Sequence, residues 1–236
     1  MSETNRLKLP LVQPSQAQKH VTVNEAFVRL DGLTQLVLQS VSEATPPGAP
    51  LEGQVWSVPT GAVNAWSGQD GQLALYENGG WLFLAPSIGW RAWIADLGGA
   101  ALFDGTEWRS GGLSLSPFGA GMSFHVAEID HVLGAGASST TANVIPAQSV
   151  VYGVTGRVTV AVTGTLTDWD LGVSGSTNRY GSGYGLAADS WLRGLTGSPL
   201  AYYADTPLEL TANGGDFAGG TVRLSVHYAA LAVPSS

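Results

Sequence analysis

Residues 65–81 read AWSGQDGQLALYENGGW and residues 92–108 read AWIADLGGAALFDGTEW, the same pattern displaced by 27 positions. Trp66 falls on Trp93, Gly71 on Gly98, Ala74 on Ala101, Leu75 on Leu102 and Trp81 on Trp108, while Tyr76 meets Phe103 and Glu77 meets Asp104. Each copy runs aromatic, glycine turn, apolar pair, acid-and-glycine turn, aromatic, which is the signature of a short hairpin with a large ring at either end. One hairpin cannot bury its apolar face alone, so the copies must pack on each other or on another element. Trp66, Trp81, Trp93 and Trp108 therefore read as core plugs, and Trp90, outside the repeat register, as the indole better placed for exposure.

Composition points the same way. The 236 residues are 44% hydrophobic and only 12% charged, with 32 Gly and 12 Pro, a balance that fits β architecture with many tight turns. Divided at residue 120, the chain carries six basic and ten acidic residues in its first part and four and eight in its second. Each part is thus net acidic, and no basic patch exists to neutralise phosphates, so nucleic acid is not an expected partner.

Reactive centres are hard to find in the sequence. With no cysteine there is no disulfide framework, thiolate metal site or cysteine nucleophile. His20, His125, His131 and His227 lie far apart without metal-binding spacing. Asp168 and Asp170 would share one face of a strand, but acid–base work needs a partner carboxyl across a cleft; they read as surface carboxylates. Calcium between Asp168, Asp170 and Asp216 lacks the loop spacing. No Gly-x-Ser-x-Gly elbow, Walker loop or dinucleotide fingerprint appears. The expectation is a non-enzyme with no cofactor and no metal. The opening MSETNRLKLPLVQPSQAQKH has no apolar stretch of signal-peptide length, and no segment approaches the roughly 20 apolar residues that span a bilayer. Synthesis in a bacterial cytoplasm without a signal peptide, and no membrane insertion, are expected.

One stretch predicts a helix, Thr22 to Val41, where Ala26, Phe27, Leu30, Leu33, Val37 and Val41 recur at three- and four-residue steps. Thr22 and Glu25 have capping-box spacing, with Asn24 a competing cap, and Gly32 weakens the helix by roughly 1 kcal/mol relative to Ala. The Pro-rich TPPGAP at 45–50 ends it. A strand over Gln54–Val58 and the two hairpins follow, with Asn78-Gly79 and Asp104-Gly105 as turns. Residues 110–121, SGGLSLSPFGAG, carry no charge and have the composition of a flexible connection. Beyond them short β-branched and aromatic runs alternate with Gly, Ser, Asn and Asp clusters, as in a sandwich or jelly roll. The fold class is mainly β: a helix and Trp-rich hairpin module at 1–109, a linker at 110–121, and a jelly-roll-like β-sandwich at 122–236.

The segment Leu9-Pro10-Leu11, followed by Gln16-Ala17-Gln18-Lys19-His20-Val21-Thr22-Val23-Asn24-Glu25-Ala26 and then Leu30-Asp31, resembles the N-terminal signature of a domain family of unknown function. That family is widespread in prophages and in the gene transfer agents of α-proteobacteria. The likeness runs through Gly53–Trp56 and both hairpins to about Trp108. Further on, Trp169-Asp170, the run Tyr202 to Pro207 and the run Gly219 to Leu224 look like the β domain that often follows in such proteins. The resemblance implies a spike or fibre of a phage-like particle; in gene transfer agents such proteins form head spikes that contact capsular polysaccharide. It supplies no catalytic residues. The polar N-terminal motif, with Gln16, Gln18, Lys19, His20 and Asn24, is the candidate docking element toward other virion proteins at a capsid vertex or spike base, leaving the C-terminal domain to face the host.

Eight Trp and seven Tyr offer amphipathic faces of the kind that stack on sugar rings. The run GVSGSTNRYGSGYG at 172–185 reads as a loop carrying Asn178, Arg179, Tyr180 and Tyr184, with Trp191 and Arg193 close behind. Loops at one end of a sandwich commonly carry recognition, so these six residues, with Trp90, are the candidate glycan contacts; a strand and hairpin at a subunit contact is the competing reading. Weak sites on several copies would bind with avidity, in a trimer first and a pentameric collar second. A glycan depolymerase and a free-standing carbohydrate-binding module are the alternatives.

Overall fold

A computed structural model describes residues 3–12 and 19–234, and the chain divides into two compact units, Met1–Gly112 and Leu113–Ser236. In the first unit come α1 (Lys19–Leu33), β1 (Val37–Leu38), β2 (Val55–Ser57), a 3-10 turn (Asn64–Trp66), β3 (Leu73–Glu77), β4 (Gly80–Leu84), β5 (Arg91–Ile94), β6 (Gly99–Phe103) and β7 (Trp108–Ser110). They form one seven-stranded sheet in the order β4-β3-β2-β1-β5-β6-β7. β1 is parallel to both its neighbours, and an antiparallel three-stranded unit extends on either side of it.

Those two flanks are the repeat, with one correction to its alignment. Leu75 of β3 faces Val55, and its counterpart Leu102 of β6 faces Arg91. The first strands are therefore related by 36 positions and the later ones by 27, so the first copy holds nine extra residues between its first two strands. The insertion carries Trp66, which is 0% exposed and packs edge-on against Trp81, with ring centres 5.1 Å apart. Trp93 is not its equivalent: it lies on β5, is 49% exposed, and is no core plug. Trp90 is half-buried against the core instead of exposed.

The helix is also displaced from its sequence reading. It spans Lys19–Leu33, after which Gln35 takes a φ of 51° and the chain extends. Val37 and Leu38 join the sheet opposite Trp93 and Ile94; Leu38 is wholly buried there. A short apolar run fits both periods, and the sheet's need for a central strand decided it. Gly32 is a packing residue: a Cβ there would lie 2.9 Å from Leu75 Cδ2.

The N-terminal segment is tied to α1 by polar side chains. Buried Asp31 accepts hydrogen bonds from the Thr4 hydroxyl (2.8 Å) and the amides of Arg6 (2.8 Å) and Leu7 (2.5 Å). Arg6 donates to the carbonyls of Asp31, Gly32 and Gln35, occupying acceptors that a helix C-terminus leaves open.

The second unit contains β8 (Gly112–Leu115), β9 (Gly121–Val132), β10 (Ser138–Ile145), β11 (Ser149–Gly164), β12 (Asp168–Gly172), β13 (Trp191–Tyr202), β14 (Thr206–Asn213) and β15 (Phe217–Ala232). The larger sheet runs β13-β11-β15-β9-β8 and the smaller β10-β14-β12. Residues 180–184 extend the smaller sheet beyond β12, through Tyr180 N to Leu171 O (2.8 Å) and Tyr184 N to Trp169 O (2.9 Å). From β9 to β12 each connection crosses to the other sheet; with 180–184 counted beside β12, and β8 set aside as an added edge strand of the larger sheet, the remaining four strands of each layer have jelly-roll order. Between them lies one core, with Val154, Leu224 and Val226 from the larger sheet against Trp169, Leu171 and Leu210 from the smaller. Residues 110–121, read from composition as a linker, hold the end of β7, all of β8 and a turn closed by Ser116 N to Ala120 O (2.7 Å). Uncharged Gly and Ser residues serve a tight hairpin as well as a free connection.

Candidate functional site

The larger sheet presents one face to the core and one outward, and strand register fixes what shares the outer face. Arg193 lies opposite Thr155, Thr155 opposite Ser225, and Ser225 opposite Glu128. The neighbouring row runs Trp191, Arg157, Arg223, Asp130. Alternation explains the outward set: on β13, Trp191, Arg193 and Leu195 are exposed while Leu192 and Gly194 are buried. Gly194 is there because Tyr180's carbonyl presses against its inner side, where any Cβ would collide.

Charges on this face differ in how fully they are answered. Arg223 makes two hydrogen bonds of 2.7 Å to the Asp130 carboxylate; that pairing lowers the Asp130 carboxyl and raises the Arg223 guanidinium. Arg157 has Asp189 at 3.4 Å. Arg193 makes no ion pair or hydrogen bond among the described residues, and its guanidinium carbon stands 5.8 Å from the centre of the Trp191 ring, within cation–π range. Trp191 is 68% exposed. Beside them the Thr155 hydroxyl and His227 Nε2 are 2.8 Å apart.

The structure thus divides the residues that sequence reasoning grouped. Trp191 and Arg193 stand together on the outer face. Asn178 is exposed in the turn that follows β12, next to half-buried Arg179, whose Nε is buried without a partner among the described residues. Tyr180 is 0% exposed and belongs to the core, its hydroxyl 2.7 Å from that of Tyr202. Tyr184 packs on Trp169 and donates its hydroxyl proton to the Tyr180 carbonyl at 2.5 Å. Neither tyrosine offers an open ring face: the run is turns and bends, as its composition predicts, but its backbone is hydrogen-bonded to β12 at Tyr180 and Tyr184 and both rings turn inward. Thr155, Arg157 and His227 join Trp191 only through cross-strand register, which the alternating pattern of their strands signalled without saying what lay opposite.

Of the N-terminal motif, Gln16 and Gln18 lie outside the described residues, and Lys19 begins α1. Asn24 is engaged with the chain itself: its amide side chain accepts from Val12 N (2.8 Å) and donates to Val12 O (3.1 Å). His20, whose buried Nδ1 has no partner among the described residues, lines an open groove of about 520 Å³ with Asn24, Val28, Trp81 and Leu82.

On the smaller sheet, Asp168 and Asp170 do share a face, and Asn213 Nδ2 donates to both (2.7 and 2.8 Å). Among the described residues no group of three or more His, Asp or Glu is placed to hold a metal ion, and no helix is long and apolar enough to cross a membrane.

Residues 23–109 match a family described as a protein of unknown function (DUF2793). No curated protein matches the chain. Among solved structures, the capsid asymmetric unit of cyanophage Pam1 is similar at 23% identity and a TM-score of 0.38, over 50% of this chain and 92% of that one.

Proposed function

We propose that this chain is a structural, non-catalytic spike or fibre component of a phage-like particle, of the head-spike kind that gene transfer agents carry, and that its jelly-roll unit contacts cell-surface polysaccharide. The observation that carries the glycan half is Trp191: a large indole, 68% exposed, on the outer face of a sheet whose neighbouring side chains are hydrogen-bonding groups. An exposed indole with polar neighbours is what a sugar ring needs, an apolar face for its C–H groups and donors at its rim. The particle half is supported by the resemblance of the N-terminal motif to prophage and gene transfer agent proteins, and by the exposed apolar side chains Val21 and Leu30 on α1, which favour contact with other virion proteins. Copies assembled as a trimer, or as a pentameric collar at a vertex, would turn weak single sites into firm attachment.

Two measurements test this reading. Capsular polysaccharide incubated with the full chain should retain the protein and keep its own length; progressive shortening would identify a depolymerase instead. Light scattering after size exclusion should return a closed oligomer, and purified particles should contain the chain. A stable monomer across micromolar concentrations that binds glycan without being found on particles would identify a free-standing binding module.

A further inference from the structure

Building on that glycan reading, we infer that the ligand of the outer sheet face is an acidic polysaccharide, its sugar ring stacked on Trp191 and its uronate carboxylate held by Arg193. Three arginines share this face. Arg223 is paired with Asp130 through two hydrogen bonds and Arg157 is answered by Asp189, whereas Arg193 has no acidic partner among the described residues. It lies two positions from Trp191 on one strand, a separation of about 7 Å along the backbone, and its guanidinium stands over one face of the indole, 5.8 Å from the ring centre, which leaves the opposite face to the sugar.

The two side chains match two parts of one sugar. The indole takes the apolar face of a pyranose. A carboxylate carried on that ring meets a planar donor fork that bonds both its oxygens, whereas the hydroxymethyl group of a neutral hexose engages the same fork with weaker, uncharged hydrogen bonds. Arg157, opposite Trp191 on the adjoining strand, stands about 5 Å away across the sheet. Its contact with Asp189 is exposed on both sides and open to competition, so a polymer with repeated carboxylates would meet a second cation. Attraction has to be local, because the unit carries four basic and eight acidic residues and at long range repels an anionic chain.

The test uses the full chain with polygalacturonate, alginate and hyaluronate, each beside its carboxyl-reduced derivative. Expected is retention on at least one acidic polymer and binding about tenfold weaker to its reduced form. Arg193→Ala should reproduce that loss on the acidic polymer and weaken binding of the reduced form far less, Arg193→Lys should recover part of it, and Trp191→Ala should abolish both. Circular dichroism should be unchanged, since both side chains are exposed. Equal binding to acidic and reduced forms, lost in Trp191→Ala, would overturn the acidic ligand and keep the glycan reading. Retention of no polymer would overturn both. If the two substitutions instead dissolve an oligomer, the face belongs to a second copy and the inference fails.

Discussion

The hydroxyls of Tyr180 and Tyr202 lie 2.7 Å apart inside the jelly roll, joining the segment that extends the smaller sheet to the edge strand of the larger one. Each is the other's partner in a site that water does not reach, so the pair closes the open side of the sandwich. Tyr180→Phe removes one hydroxyl and strands the other, and should cost about 1–2 kcal/mol. Tyr180→Ala also empties the ring's volume and should cost about 3–5 kcal/mol. Urea unfolding checks both. Polysaccharide binding by the folded Tyr180→Phe protein should equal that of the parent, because Trp191 and Arg193 face the other way.

Alkali should find the same region. Burial raises Tyr180, Tyr184 and Tyr228 above the ordinary phenol range, and the Tyr202 hydroxyl adds to the effect at Tyr180. In the unfolded chain these groups ionise near pH 10, while in the folded chain they keep their protons beyond it. Their contribution to stability is complete below pH 10 and falls as pH climbs further. The unfolding midpoint should fall as pH rises above about 10, the buried phenols ionising only as the chain unfolds. Tyr180→Phe should flatten that dependence.

Trp66 and Trp93, aligned by the sequence repeat, should separate sharply on substitution. Trp66 sits at the centre of a ring cluster with Trp56 and Trp81, so Trp66→Ala should cost about 3–5 kcal/mol. Trp93, half in solvent on β5, should cost about 1 kcal/mol or less. Tryptophan fluorescence during denaturation distinguishes them, and equal losses would mean that the nine-residue insertion is not where the rings diverge.

That contrast shows what could be read without coordinates. Period and composition were enough for the β class, for both hairpin turns and for the jelly-roll pattern, because alternation and turn chemistry are local. Three features depended on remote partners and escaped. The helix end at Leu33 was set by the sheet's demand for Leu38, and the spacing of Val37 and Val41 fits helix and strand alike. Tyr180 looks like a binding-loop residue among Asn, Arg and Gly, yet its ring is drawn inward by Tyr202, 22 positions away. The grouping of Arg157 and Thr155 with Trp191 and Arg193 exists only in cross-strand register, so of the candidate site only its two β13 members were legible.

Asp104 supplies an acid-side test at the turn between β6 and β7. Burial pushes its carboxyl upward, but the amides of Glu107 and Thr106, the Thr106 hydroxyl and Arg109 together outweigh this and hold it at about 2. Arg109 Nε is 2.7 Å from Oδ2, and the amides of Thr106 and Glu107 both stand 2.8 Å from Oδ1. In the matching turn of the first repeat a remote carboxylate does this work, Glu52 accepting from the amides of Asn78 and Gly79. A carboxyl held below its unfolded value near 3.9 stabilises the fold above about pH 4, and that contribution is lost as pH falls through about 2. Asp104→Asn keeps the shape and removes the charge, so it should cost about 1 kcal/mol at pH 7. At pH 2 the two proteins should unfold at nearly the same denaturant concentration. A difference that persists unchanged to pH 2 would mean that side-chain shape and not ionisation holds the turn.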